Sequence, residues 1–272
     1  CGGIENSRLL LWTKVKNKEF INNDLPIGKY WMNHPWILAG AGIINKKRLK
    51  KKLKHNFLEY DGPLHFAAKK ELITKQKILS AGIYMSANDD TKVYKEIIKN
   101  ILCVAPEYGK KIARMVFKKD LKCGNIFMHI EEEPTENNKI ILDEEKDKSG
   151  IPMVKLLYKK SHYSLKTAKL FLEEFGNLCL KDDLGRIAIK DSIYNLEEFK
   201  NLGASCHHMG GTRMGIEKFN SVVNKDLKVH NINNLYINGS SSFVTSGYTN
   251  PTFTIVQLAI RLAEKIKERL QT

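Results

Sequence analysis

The chain has 272 residues, of which 42% are hydrophobic, enough for one large domain or two smaller domains with a genuine core. Its formal net charge is +15, but the excess consists mostly of scattered lysines and only seven arginines are present, which argues against a nucleic-acid-binding protein. The five cysteines show no C-x-x-C spacing, which argues against a disulfide framework or a zinc site and favours a reducing compartment such as the cytoplasm.

The first part of the chain predicts helical and extended segments in alternation. A Gly-Gly turn leads into a short helix over residues 4–11, and an aromatic-rich loop follows at 25–35. Residues 37–44 form a predicted strand, in which two glycines would allow another backbone to approach closely. The lysine-rich segment 46–54 carries leucines at helical spacing, so it predicts a helix with a solvated, charged face.

The middle of the chain predicts a mixture of helices and strands. A helix is expected over residues 91–102, and strand-like apolar runs follow at 125–131, 139–142 and 153–158, with turn residues between them. Apolar residues return to helical spacing over 164–178. The fold class predicted from these segments is α+β with an antiparallel sheet.

The last element is the clearest predicted helix. Asn250 is placed to cap its N-terminus and Pro251 to occupy its first position, where the missing N–H costs nothing. No apolar run in the chain approaches the roughly 18 residues that a transmembrane helix requires. The apolar positions of this helix lie at three- and four-residue steps: Ile255, Leu258, Ala259, Leu262, Ile266 and Leu270.

Two adjacent histidines in a glycine-rich turn are the strongest candidates for chemistry. His207 and His208 precede Gly210 and Gly211, and an imidazole can accept a proton from an alcohol at neutral pH and return it. The amide of Asn250 could donate a hydrogen bond to the alkoxide that develops, supported by the helix dipole. Oxidation of the alcohol also needs a hydride acceptor, which no side chain supplies, so the pattern implies a cofactor.

Other readings of this segment fit less well. Cys206 could serve as a thiolate nucleophile, but no third group that would orient a Cys-His pair is evident. No metal site is expected at His207 and His208, because adjacent residues of an extended segment point to opposite faces. His208 is left open between a contact to substrate and a supporting hydrogen bond.

Three blocks in fixed order, at residues 207–215, 234–241 and 247–252, closely resemble the carboxy-terminal signature of the glucose-methanol-choline (GMC) family of FAD-dependent oxidoreductases. The resemblance continues upstream at residues 1–11, 28–35 and 133–152. It implies oxidation of a CH–OH group of a sugar, polyol or other alcohol, with hydride transfer to flavin N5.

The same resemblance assigns roles to individual residues. It implies His207 as the catalytic base and Asn250 as its partner across the flavin. His208 matches the branch of the family that acts on sugars and polyols, and it is expected to contact substrate together with His34. The expected FAD contacts are Gly239, Ser240, Asn250, Pro251 and Thr252.

The G-x-G-x-x-G loop that holds the ADP part of FAD in this family has no counterpart in the chain. We therefore expect the carboxy-terminal part of an FAD-binding α/β lobe together with an antiparallel-sheet substrate lobe, and a missing amino-terminal flavin-binding segment as partner. Residues 1–35 and 201–272 are assigned to the flavin lobe and 36–200 to the substrate lobe. The alternative hypothesis is an inactive fragment, or a subunit that binds a separately encoded flavin domain.

Overall fold

The computed structural model of the chain describes two compact units. Unit 1 comprises Cys1–Pro35, Glu131–Ser164 and Ala204–Thr272, and unit 2 comprises Trp36–Ile130 and Leu165–Gly203. Each unit therefore collects segments that are distant in the sequence. The residues that the structure describes are 2–21, 24–53, 64–85, 107–108, 111, 121–201 and 205–271.

Unit 2 is built on a five-stranded sheet in which every neighbouring pair is antiparallel, in the order β2-β3-β4-β1-β7. Its strands are β1 (Trp36–Asn45), β2 (Leu64–Ala67), β3 (Ala81–Met85), β4 (Leu121–Ile130) and β7 (Gly185–Ile189).

Strand β1 pairs on both sides, with β4 and with β7. A Cβ atom on Gly40 would lie 2.1 Å from the carbonyl oxygen of Ala188, so only glycine allows this approach. The close backbone approach predicted from the glycines of this strand is confirmed.

Helices cover the apolar side of this sheet. Within the described residues, unit 2 contains α2 (Lys46–Leu53), α3 (Lys70–Gln76), most of α4 (His162–Lys181) and α5 (Leu196–Asn201). Buried side chains of α4, among them Phe171 and Phe175, belong to one hydrophobic cluster with Ile83 and Met128 of the sheet. In the lysine-rich α2, Leu49 is buried while lysines at 47, 50, 51 and 52 are exposed, so the predicted solvated face is confirmed.

Unit 1 combines two helices, a hairpin and long irregular segments. Its elements are α1 (Gly3–Lys16), β5 (Lys139–Lys146), β6 (Pro152–Leu157), a 3₁₀ turn (Ser240–Ser242) and α6 (Thr252–Gln271). Leu258 and Leu262 of α6 pack against a second hydrophobic cluster. Its buried members are Leu10, Ile21, Leu25, Ile27, Val222, Val223, Leu227, Val229, Ile232 and Ile237.

Arg8 ties α1 to the turn between β5 and β6. Its guanidinium donates to the carbonyl oxygens of Pro152 and Ile151, at 2.7 and 3.1 Å, and to the carboxylate of Asp147 at 2.5 Å. The side chain of Arg8 is only 13% exposed, and its hydrogen bond to Asp147 is the main cause that raises the pKa of Arg8. This contact fixes the hairpin against the start of the chain.

The predicted elements are largely confirmed. The first helix is longer than expected, at 14 residues, and the strands and helix predicted beyond residue 120 are present with small shifts at their ends. The α+β class with antiparallel sheets is also confirmed. The helix predicted over residues 91–102 lies outside the described residues. None of the helices that the structure describes is long and apolar enough to cross a membrane.

The predicted start of the last helix is wrong by one residue. The first hydrogen bond of the helix runs from the amide of Ile255 to the carbonyl of Pro251, and Thr252 is the first helical residue. Pro251 therefore occupies the capping position and Asn250 lies outside the helix, exposed and with no side-chain hydrogen bond in the described part of the chain. A residue before proline is pushed towards extended backbone, which explains the shift.

The division into units differs from the predicted lobes in one segment. Residues 131–164, which we assigned to the substrate lobe, cluster with 1–35 and 204–272. The assignment of flavin and substrate roles to the two units stays a prediction.

Candidate active site

The aromatic-rich loop runs antiparallel to the segment that contains His207 and His208, here called the histidine segment, and positions it. The backbones of Met32 and Met209 exchange two hydrogen bonds, of 2.8 and 2.9 Å. Gly210 has a φ of +74°, and a Cβ atom there would lie 2.0 Å from the carbonyl oxygen of Tyr30. The glycine therefore allows both the turn and the close approach of the aromatic-rich loop. As a result, His34 and His207 come side by side.

His34 and His207 form a direct pair. His34 Nε2 and His207 Nδ1 lie 2.5 Å apart, and the ring centroids are 4.7 Å apart. His34 is fully buried, whereas His207 is partly exposed. The structure places the buried His34 beside His207, and the predicted contact of His34 with substrate stays a prediction.

The tautomer of this pair decides what His207 can do. A neutral imidazole carries one N–H, so only one of its nitrogens is a proton acceptor. If Nδ1 of His207 donates to His34, then Nε2 of His207 keeps its lone pair and can take a proton from a ligand. The reverse arrangement would leave Nε2 protonated and unable to act as a base.

His208 points into different surroundings. Its ring lies 5.6 Å from the ring of Trp31, at an interplanar angle of 31°. Burial, with a smaller effect of the neighbouring His207, lowers the pKa of His208, which favours the neutral ring at pH 7. Its Nδ1 is buried and has no hydrogen-bond partner within the part of the chain that is described.

The turn at residues 239–242, here called the serine turn, is hydrogen-bonded to the histidine segment. The hydroxyl of Ser240 donates to the carbonyl oxygen of His208 at 2.6 Å, and the carbonyl of Ser240 accepts from the amide of Gly210 at 3.0 Å. Gly239 has a φ of +126°, in the region that favours glycine. Two of the predicted cofactor residues therefore lie directly beside the histidines.

Two of the other three predicted cofactor residues line a cavity of about 380 Å³ in the same unit. Asn250 and Pro251 line it, together with Ser242 of the serine turn, and α6 begins at the neighbouring Thr252. A carboxamide and the first N–H groups of a 20-residue helix suit the carbonyl oxygens of a flavin pyrimidine ring, so these residues fit FAD. Across the described residues, Asn250 makes no hydrogen bond or ring contact with His207.

Glu132 and its partner Tyr158 are two polar residues near the histidines that were not identified from the sequence. Glu132 is fully buried and accepts hydrogen bonds from the backbone N–H of Asn33, at 2.8 Å, and from the hydroxyl of Tyr158, at 2.6 Å. Three glutamates in succession, at 131–133, gave no signal that the middle one is buried, because that follows from the loop packed against it.

Cys206 is exposed and free. Within the described ranges, no group of three or more His, Cys, Asp or Glu side chains is arranged to hold a metal ion.

Comparison with known proteins identifies relatives of this chain. Residues 134–259 match the family model for GMC oxidoreductases. The fructose dehydrogenase large subunit of Gluconobacter japonicus is 25% identical over 285 residues, covering 100% of this chain and 47% of the relative. The 2-methyl-1,2-propanediol dehydrogenase of Mycolicibacterium austroafricanum is 27% identical over 279 residues, covering 99% and 47%.

A solved structure shares the fold. The pyridoxine 4-oxidase from Mesorbium loti superposes with a TM-score of 0.57 at 11% identity, covering 98% of this chain and 50% of that structure. The chain thus spans about half the length of the curated relatives that it matches. Residues 134–259 carry the carboxy-terminal domain of the GMC oxidoreductases.

Proposed function

We propose that this chain supplies the active-site histidines of an FAD-dependent enzyme that oxidises a CH–OH group of a sugar, a polyol or another alcohol. Two relatives are named for dehydrogenation of fructose and of 2-methyl-1,2-propanediol, and both names describe hydroxylated substrates. FAD, when bound, supplies the acceptor for the hydride that leaves the substrate carbon. Gly239, Ser240, Asn250, Pro251 and Thr252 are the residues that we expect to hold it.

The observation that carries this proposal is the contact of 2.5 Å between His34 and His207. In the tautomer in which His207 donates through Nδ1, its Nε2 takes the proton of the substrate hydroxyl as the C–H bond breaks and the carbonyl forms. The buried His34 orients the ring and holds that tautomer. This is the role of the orienting group in catalytic base arrangements generally.

Asn250 and His208 complete the proposed site. The carboxamide of Asn250 donates to the developing alkoxide, at the positive end of α6. His208 is held neutral by burial, so it can hydrogen-bond a second substrate hydroxyl without adding charge. Its packing on Trp31 leaves the ring few orientations.

A second candidate function is that of a subunit that requires a separate flavin-binding partner. Helix α6 has two apolar faces, of which only one packs on the core of unit 1. On the other face, Phe253, Val256 and Ile260 are 75%, 48% and 51% exposed. A helix that is apolar on both faces is normally buried on both, so this face favours a partner segment. By contrast, residues 4–11 are buried or partly buried, so only the last helix supports this alternative.

The two functions are separated by supplying the missing segment in two ways. The chain is produced alone, fused to the flavin-binding half of the fructose dehydrogenase relative, and co-expressed with that half as a separate polypeptide. Retention of FAD by the fusion and bleaching of its absorbance by fructose or 2-methyl-1,2-propanediol under anaerobic conditions would support alcohol oxidation. Retention after co-expression would support the subunit. A fusion that holds FAD but is bleached by none of a panel of sugars and alcohols contradicts the proposed reaction.

A further inference from the structure

We propose that Glu132 is the positioning residue of this site, a single buried carboxyl group that sets the orientation of both His207 and His208. The inference rests on the proposed function of these histidines. Glu132 does not contact either ring, and it acts through two separate chains of hydrogen bonds and ring contacts.

The first chain leads to His207. One carboxyl oxygen of Glu132 accepts the backbone N–H of Asn33 at 2.8 Å, and the side-chain oxygen of Asn33 accepts the hydroxyl of Ser205 at 2.6 Å. Ser205 in turn accepts a longer hydrogen bond, of 3.4 Å, from the amide of His207. Asn33 is buried and directly precedes His34. Glu132 therefore fixes the backbone on both sides of the histidine pair.

The second chain leads to His208. The other carboxyl oxygen of Glu132 accepts the hydroxyl of Tyr158 at 2.6 Å. The ring of Tyr158 meets the ring of Trp31 edge to face, with centroids 5.1 Å apart and an interplanar angle of 79°. Trp31 is the residue on which the His208 ring lies. A tilt of Tyr158 would therefore be passed to His208 through Trp31.

The backbone of Glu132 adds a contact to a third segment. Its amide donates to the hydroxyl of the buried Ser246 at 2.9 Å, four residues before Asn250. This bond does not depend on the side chain at position 132. A substitution there consequently perturbs the two histidines while the attachment of the Asn250 segment stays in place.

The chemistry of the side chain makes the proposal testable by a conservative variant. The Asn33 N–H can only donate, but the Tyr158 hydroxyl can donate or accept. In Glu132→Gln, the amide oxygen can keep the bond from Asn33 while the amide NH₂ donates to Tyr158. Glutamine therefore preserves both chains, whereas Glu132→Ala breaks both. If Glu132 acts through its hydrogen bonds, glutamine at position 132 should keep His207 and His208 as they are in the wild type.

The measurement is ¹⁵N–¹H correlation NMR of the imidazoles in the full chain labelled with ¹⁵N-histidine, without FAD. In the wild type we expect His207 to be a single tautomer with the proton on Nδ1. Glu132→Ala should lose that preference and shift the His208 resonances, while Glu132→Gln should reproduce the wild-type spectrum. Glu133→Gln is the matched control, because the Glu133 side chain makes no hydrogen bond in the described residues.

Two further variants each interrupt one of the two chains of contacts that lead from Glu132 to the histidines. They remain informative if Glu132→Ala does not fold. Asn33→Ala should move the resonances of His207 alone, and Tyr158→Phe those of His208 alone. Unchanged resonances of both histidines in a folded Glu132→Ala, or in both single-chain variants, would overturn the proposal. A wild-type His207 with its proton on Nε2 would instead contradict the proposed base, and the response to Glu132→Ala would still be measured separately.

Discussion

The two units differ in what they bury. Unit 2 contains the larger cavity, of about 900 Å³, lined mainly by apolar side chains such as Leu64, Phe66 and Phe171. In unit 1 the cavity beside Asn250 is less than half that size. Yet among the described residues with buried polar side chains, only Asn45 and Thr167 belong to unit 2, and the others lie in unit 1.

From this difference we infer that buried polarity, rather than the size of a cavity, marks the proposed site. Burying a polar group costs free energy unless it finds partners, so such groups are expected where orientation must be fixed. In unit 1, buried polar side chains connect the aromatic-rich loop, the histidine segment and the serine turn. Unit 2 is in this view a scaffold, and the predictions below test that separation.

The largest expected effect is on turnover. His207→Ala, in the enzyme completed with a flavin-binding segment, should lower the rate of alcohol oxidation by about 10² to 10⁴, the usual contribution of a positioned general base. His65→Ala is the control, since that exposed histidine borders the apolar cavity of unit 2. Stopped-flow reduction of the flavin measures both. Equal rates for His207→Ala and the wild type would remove His207 as the base.

Next in size is the cost of disturbing the scaffold. Met128 is fully buried in β4, so Met128→Ala should lower the free energy of unfolding by about 2–5 kcal/mol. The measurement is urea denaturation followed by circular dichroism. If the proposed site depends on unit 1 alone, the imidazole resonances of His207 and His208 should stay unchanged below the transition. Displaced resonances in the folded variant would show that the two units are coupled.

Glu132 should give the stability of the chain a pH dependence. Burial is the main cause that raises the pKa of Glu132 to about 7, opposed by the bonds from Tyr158 and Asn33 and by the charge of Lys160. The folded state then keeps a proton that the unfolded state has already released above a pH of about 4.5. Stability therefore falls as pH rises from there to about 7.

The free energy of unfolding is expected to fall by about 3 kcal/mol between pH 4.5 and about 7. This fall is measured as the difference in unfolding free energy between the wild type and Glu132→Gln at each pH, because the groups common to both cancel. Glutamine cannot titrate, so the difference should shift in its favour with rising pH. A constant difference would indicate that Glu132 is ionised in the folded state throughout.

Much of the fold and part of the site could be predicted from the sequence. Periodicity and turn residues located the strands and helices, and the block around His207 identified the histidine segment. The pairing of His34 with His207 was not predicted, because it depends on the antiparallel contact between Met32 and Met209. No local pattern reports the partner of a buried side chain, and this also explains why Glu132 was missed.

Gly210 should be more sensitive to substitution than a glycine with the same backbone angle elsewhere. Gly150, in the hairpin turn of the same unit, has a φ of +73°, against +74° for Gly210, but a Cβ atom there would meet nothing within 4 Å. Gly150→Ala should therefore cost only about 1–2 kcal/mol of backbone strain. Gly210→Ala adds the clash with Tyr30, and thermal unfolding of both variants isolates that addition. Equal losses of stability in the two variants would mean that the aromatic-rich loop moves aside without a free-energy penalty.

The smallest expected effect concerns the two asparagines that precede helices. The side-chain oxygen of Asn195 accepts from the amides of Glu197 and Glu198, at 3.0 and 3.3 Å, at the start of α5, so Asn195→Ala should lose about 1 kcal/mol of stability. Asn250 makes no such bond, so Asn250→Ala should change stability by less than about 0.5 kcal/mol. Chemical denaturation of the two variants side by side measures the contrast. A loss at Asn250 equal to that at Asn195 would restore Asn250 as the cap, whereas an unchanged stability leaves its amide available for the substrate and the flavin.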